Sequence, residues 1–117
     1  GEYPMIHVTI YQNKKGEYTG FSATGHAGYA KAGEDIVCAA ASVLMINTVN
    51  ALEIYAGAEV SVFGEEAEGI LNARIVSSPG KETQLLMKTM VLGLTQMEDD
   101  ENYAEYIDLT FEEVQQP

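Results

Sequence analysis

The run from Asp35 to about Tyr55 constrains the fold of this chain more than any other stretch. It reads as one long helix whose apolar residues cover most of the circumference. Ile36, Ala40, Val43, Leu44 and Val49 are joined by Val37, Ala41, Met45, Ile46, Leu52 and Ile54. A helix with so little polar face is buried on more than one side. It calls for a sheet on one flank and a second helix or another subunit on the other. Ala39 to Ser42 keeps the first turns thin, so that a neighbouring backbone can approach closely. Asp35 reads as the N-cap, because its carboxylate can accept from the unsatisfied amides of the first turn. Gly57 closes the helix.

The remaining segments supply that sheet. Met5 to Gln12 alternates Ile6, Val8 and Ile10 with His7, Thr9 and Tyr11, the pattern of a strand with one buried face. Asn13-Lys14-Lys15-Gly16 is a turn signal, and Glu17 to Gly25 completes a hairpin. His7 falls on the polar phase and reads as a solvated strand residue. Ala58–Phe63 and Ile70–Ser78 are two further strands joined by an acidic, exposed link from Gly64 to Gly69. After Pro79-Gly80, a second helix runs from Lys81 to about Met97. It ends in Glu98-Asp99-Asp100-Glu101, which opposes the helix dipole. Tyr103 to Phe111 is the last strand. The order ββαββαβ predicts one α+β domain over 1–117, with two helices packed on a mainly antiparallel five-stranded sheet. At 117 residues the chain can bury a core without staples.

No run reads as long enough to span a bilayer, and no secretory signal opens the chain, so a soluble protein without a membrane partner is expected. Met5 reads as the natural start, with Gly1 to Pro4 an added remnant. The lone cysteine, Cys38, cannot form an internal disulfide and fits a reducing cytoplasmic setting. Six basic residues against eighteen acidic ones give a net charge of −12. Such a surface repels phosphate backbones, which argues against direct nucleic-acid binding, and it favours encounter with a basic partner. Solubility alone would also account for the charge.

Chemistry concentrates between Thr24 and Ser42, which holds Cys38 and one of the two histidines, His26. With Asp35 as the cap, Cys38 lies in the first helical turn, where amides and dipole favour a thiolate. His26 lies at the strand end, feeding a glycine-flanked loop over Ala27 to Glu34. A thiolate with a nearby imidazole is a nucleophile and base pair, and amides beside Cys38 could form an oxyanion hole. The plain alternative is that Cys38 is a small buried hydrophobe. Ser42, one turn on, either contacts substrate or permits close packing. Asp35 either caps the helix or orients His26. Tyr29 and Lys31 either touch substrate or are simply exposed. One cysteine and two scattered histidines do not make a metal set, and no cofactor is called for.

Gly25-His26-Ala27, then Gly33-Glu34-Asp35-Ile36-Val37-Cys38-Ala39-Ala40 and Ser42, closely resembles the signature of the ribosomal-processing cysteine protease family, Prp. The element order and the Val49-Asn50-Ala51-Leu52 stretch are similar too. The resemblance implies an endopeptidase that removes a short N-terminal extension from large-subunit ribosomal protein L twenty-seven, a basic substrate with aromatic or large apolar residues before the cut. It implies Cys38 as nucleophile and His26 as general base, with Asp35, Ser42, Gly25, Ala27 and Gly33 in supporting or substrate-binding positions. It also implies a homodimer and a loop over the site. The alternative is a non-catalytic acidic adaptor for a basic ribosomal protein or assembly factor.

Overall fold

The computed structural model describes residues 5–25, 32–65 and 69–115, with the side chains of residues 32–35 left outside that description. The elements are β1 (Ile6–Gln12), β2 (Tyr18–Thr24), α1 (Ala32–Tyr55), β3 (Val60–Glu65), β4 (Ile70–Ile75), α2 (Lys81–Asp99) and β5 (Ile107–Glu113). They form the ββαββαβ, α+β arrangement read from the sequence.

The five strands lie in the order β3-β4-β2-β1-β5. Every neighbouring pair is antiparallel except β1 and β5, which run parallel with Val8 opposite Leu109 and Ile10 opposite Phe111. Strand alternation puts Ile6, Val8, Ile10, Phe21, Ala23, Ala73, Ile75 and Ile107 on one face, where all are buried. Both helices cover that face. α1 contributes Val37, Ala41, Met45, Val49 and Leu52 to the core, and α2 contributes Met87, Met90, Val91 and Leu94. The opposite face carries mostly polar side chains, with Tyr11 and Phe63 among them. There His7 Nδ1 meets Asp108 Oδ1 at 2.5 Å across β1 and β5, and the Thr9 and Thr110 hydroxyls lie 3.2 Å apart. His7 is an exposed strand residue.

Two side chains tie α2 to the sheet at its ends. The Gln84 amide accepts from the Tyr18 N–H at 2.7 Å and donates to the Tyr18 carbonyl at 2.8 Å. Glu98 accepts from the Leu109 N–H at 2.6 Å. α1 and α2 approach closely where Gly93 meets Leu44, a contact that a Cβ on Gly93 would crowd to 2.7 Å.

Several predicted boundaries move. α1 begins at Ala32, so Asp35 is inside the first turn rather than its N-cap, and Cys38 lies in the second turn. An acidic residue suits either position, because the dipole favours negative charge across the whole first turn. β3 starts at Val60 because the Ala58 amide donates to Leu52 and the Glu59 amide to Ser77 Oγ. Residues 103–106 are not strand. The Tyr103 and Ala104 amides both donate to Asp100, and Ala104–Tyr106 form a short 3-10 turn before β5. The predicted absence of a membrane-length run is also corrected. Ile36–Tyr55 is long and apolar enough to cross a membrane by length and composition. Here it is the helix that closes the core, and its buried residues recur at core-facing intervals (Val37, Ala41, Met45, Val49 and Leu52).

Candidate active site

A cleft of about 570 Å³ opens between α1 and the end of the sheet. Its helix wall is built by spacing. Cys38, Ser42 and Ile46 follow one another at four-residue intervals, with Met45 beside them, so they share one side of α1. Its sheet wall comes from the start of β1 (Ile6), the end of β2 (Ala23, Thr24) with Gly25, the end of β3 (Gly64, Glu65), and Ile70 and Leu71 of β4 with Gly69 before them. Cys38 is a free thiol, half-buried, packed on the core with one side and bordering the cleft with the other.

Gly25 has φ of +102°, and a Cβ there would run into the Met5 carbonyl oxygen. Only glycine takes that conformation readily, and only glycine lets β2 end so close to β1. The structure therefore brings Cys38, Ser42 and Gly25 together on one cavity. Gly33 is within the first turn of α1. His26, Ala27, Tyr29 and Lys31 lie outside the described residues, as does the side chain of Asp35. Residues 32–34, predicted as part of the loop from Ala27 to Glu34, belong to α1 instead.

The second-turn position of Cys38 also changes the electrostatic argument. The unsatisfied amides of an α-helix are its first four, here those of residues 32–35. The amide of Cys38 is an interior one, already committed to the helix. The oxyanion hole expected from amides beside Cys38 is therefore not built by the second turn of α1. Among the described residues, no group of three or more His, Cys, Asp or Glu side chains could hold a metal ion.

The sequence reading missed Met45, Ile46, Gly64, Glu65, Ile70 and Leu71 as cleft residues. The first two were within reach, since the ladder from Cys38 to Ser42 continues to Ile46. The others depend on which strand ends meet α1, which is a matter of sheet order. Gly64 and Glu65 were assigned to a solvated link, whereas they end β3 at the cleft.

Residues 5–108 match the model of the cysteine protease Prp family. The ribosomal processing cysteine protease Prp of Staphylococcus aureus is 33% identical over 98 residues, which cover 84% of this chain and 92% of that protein. The Prp of Bacillus subtilis is 32% identical over 100 residues, covering 82% and 89%. The crystal structure of an essential ribosomal processing protease Prp from S. aureus in complex with a substrate peptide matches with a TM-score of 0.85 at 31% identity. That match covers 92% of this chain and 100% of the other. A Streptococcus mutans protein of known structure matches with a TM-score of 0.81 at 34% identity, over 94% and 99%.

Proposed function

Because this chain belongs to the Prp family of cysteine proteases and is a cysteine-type peptidase, we propose that it removes the short N-terminal extension of large-subunit ribosomal protein L twenty-seven in the cytoplasm. Family membership displaces the adaptor reading. The observation that carries the proposal is that Cys38 on α1 and Gly25 at the end of β2 border one cleft, and the residue after Gly25 is His26.

In this mechanism Cys38 attacks the scissile carbonyl while His26 takes the thiol proton. The tetrahedral adduct collapses to a thioester, and His26 returns the proton to the departing amine. Water then hydrolyses the thioester. Ser42, one turn from Cys38, supports the substrate from the helix wall, and Asp35, Ala27 and Gly33 shape the segment between base and nucleophile. Ile6, Ala23, Met45, Ile46, Ile70 and Leu71 give the cleft apolar walls suited to aromatic or large apolar residues before the cut. The net charge of −12 favours a basic ribosomal substrate and disfavours direct nucleic-acid contact. A homodimer is part of the same proposal. α1 leaves Ile36, Val43 and Ile54 between 55% and 73% exposed along its outer side, apolar side chains that a second copy would cover.

The test combines the purified protein with a synthetic peptide spanning that extension, with Cys38→Ala alongside, and reads the products by mass spectrometry. One cut by the parent protein and none by the variant is expected. A cut retained by the variant overturns the mechanism, and no cut by either overturns the substrate.

A further inference from the structure

Among the described residues the two edge strands of the sheet differ in charge. β5 carries Asp108, Glu112 and Glu113 along its length, and such charges discourage pairing with another chain. β3 has the sequence Val60-Ser61-Val62-Phe63-Gly64-Glu65, without lysine or proline and with its single charge at the far end. Val62 and Phe63 are 48% and 57% exposed. An edge of this composition is a template for an added strand.

The direction of its backbone groups follows from the register. The Val76 N–H donates to the Glu59 carbonyl at 2.9 Å, and that pair continues the β3–β4 alignment in which Val60 faces Ile75. Antiparallel bonding alternates along the strand. Ser61, Phe63 and Glu65 therefore turn their backbone groups toward β4, and Val60, Val62 and Gly64 turn theirs away from the sheet. Gly64 and Glu65 also line the cleft that holds Cys38, and α1 lies over this side of the sheet. A Cβ on Gly64 would make only ordinary contacts, at 3.5 Å to the Ile70 carbonyl and 3.7 Å to Leu71. Glycine is therefore not forced there by packing, and its bare backbone keeps the passage from edge to cleft open.

We propose that the protein substrate docks by adding an extended segment to β3 as a sixth strand. Its backbone exchanges hydrogen bonds with Val62 and Gly64, and the scissile bond is thereby carried to Cys38. The proposal rests on the peptidase reading above. The occupant is the substrate chain because edge and cleft are continuous through Gly64 and Glu65. A second copy paired along β3 would obstruct that passage. Recognition then has two layers: backbone bonds that any sequence can make, and side chains read at every second position, where they turn toward α1.

The test uses the same synthetic peptide and a series in which each amide N–H in turn is replaced by an ester oxygen. Expected is a loss in kcat/KM of about threefold to tenfold at alternate positions beyond the scissile bond, with intervening positions unaffected. Val62→Pro removes an outward N–H without breaking a β3–β4 bond, and is expected to lower kcat/KM for the parent peptide about threefold to tenfold, because the peptide carbonyl that accepts from that N–H loses its donor. The ester losses, which report on the Val62 and Gly64 carbonyls, persist. Its far-UV circular dichroism serves as the check on folding. A flat ester profile on a peptide that is cut overturns the docking mode and leaves the peptidase reading intact. A parent peptide left uncut fails that reading, and the docking mode falls with it. A kcat/KM for the parent peptide unchanged by Val62→Pro, together with a change in oligomeric state, assigns the edge to a second copy and also overturns the proposal.

Discussion

Gly25→Ala tests whether the junction beside the cleft is held by backbone geometry. With φ at +102°, an L side chain at this position is strained, at a cost of roughly 1–3 kcal/mol. The second cost is steric, because the new Cβ would overlap the main-chain carbonyl oxygen of Met5. No rotamer relieves a clash with backbone, so the ends of β1 and β2 must part near the His7 and Thr24 pair. Loosening one ladder hydrogen bond there adds about 1 kcal/mol. The sum is roughly 2–4 kcal/mol, a large share of the about 5–15 kcal/mol that holds a domain folded. In a urea titration with a slope near 2 kcal/mol/M, the midpoint should fall by about 1–2 M. Gly25→Asn should recover only part of the loss, since Asn tolerates positive φ but still carries the Cβ. Peptide cleavage should fall further than the unfolded fraction explains, because Gly25 lines the cleft. A stability change below about 0.5 kcal/mol for Gly25→Ala would refute the reasoning.

Gln84→Ala removes both hydrogen bonds to Tyr18 and should cost about 1–3 kcal/mol in urea unfolding. Gln84→Glu should not restore it, because a carboxylate cannot donate to the Tyr18 carbonyl; full stability in either variant would count against this tie between α2 and β2. Val43 is 68% exposed, so Val43→Asp should change stability by less than about 0.5 kcal/mol. On the homodimer proposed above it should nevertheless shift elution in size-exclusion chromatography toward the monomer; an unchanged elution volume would count against the outer side of α1 as an interface.

The helix-and-strand order was legible because its signals are local. The alternation of Ile6, Val8 and Ile10 marks β1, and the apolar run after Asp35 marks α1. The boundaries that moved were decided by groups distant in sequence or competing for one donor. Ser77 Oγ takes the amide of Glu59 and delays β3, and the Asp100 carbonyl takes the amides of Tyr103 and Ala104 and delays β5. No periodicity reports such capture. Cys38 and Ser42 were legible as neighbours, since four residues make one helical turn. Gly64 and Glu65 were not, because nothing in their own stretch says that β3 will stand beside β4 at the edge nearest α1.

The weak amphipathicity of α1 becomes intelligible once its sides are separated. Val37, Ala41, Met45, Val49 and Leu52 face the core. Cys38, Ser42 and Ile46 sit one residue further on, hence about 100° around the helix, and border the cleft. Ile36, Val43 and Ile54 face outward. A helix that served only the core could be polar over the other two sides at no cost to packing. Here the cleft side and the outer side are apolar as well, and Ile46 is 51% exposed while lining the cleft. Folding alone does not require that surface. An apolar substrate segment at the cleft and a second copy on the outer side would each bury part of it, so the composition of one helix fits both the proposed cleavage and the proposed dimer. Cys38 lies where the core side meets the cleft side, which is why its thiol is half-buried: one flank is fixed by packing and the other is open to a substrate.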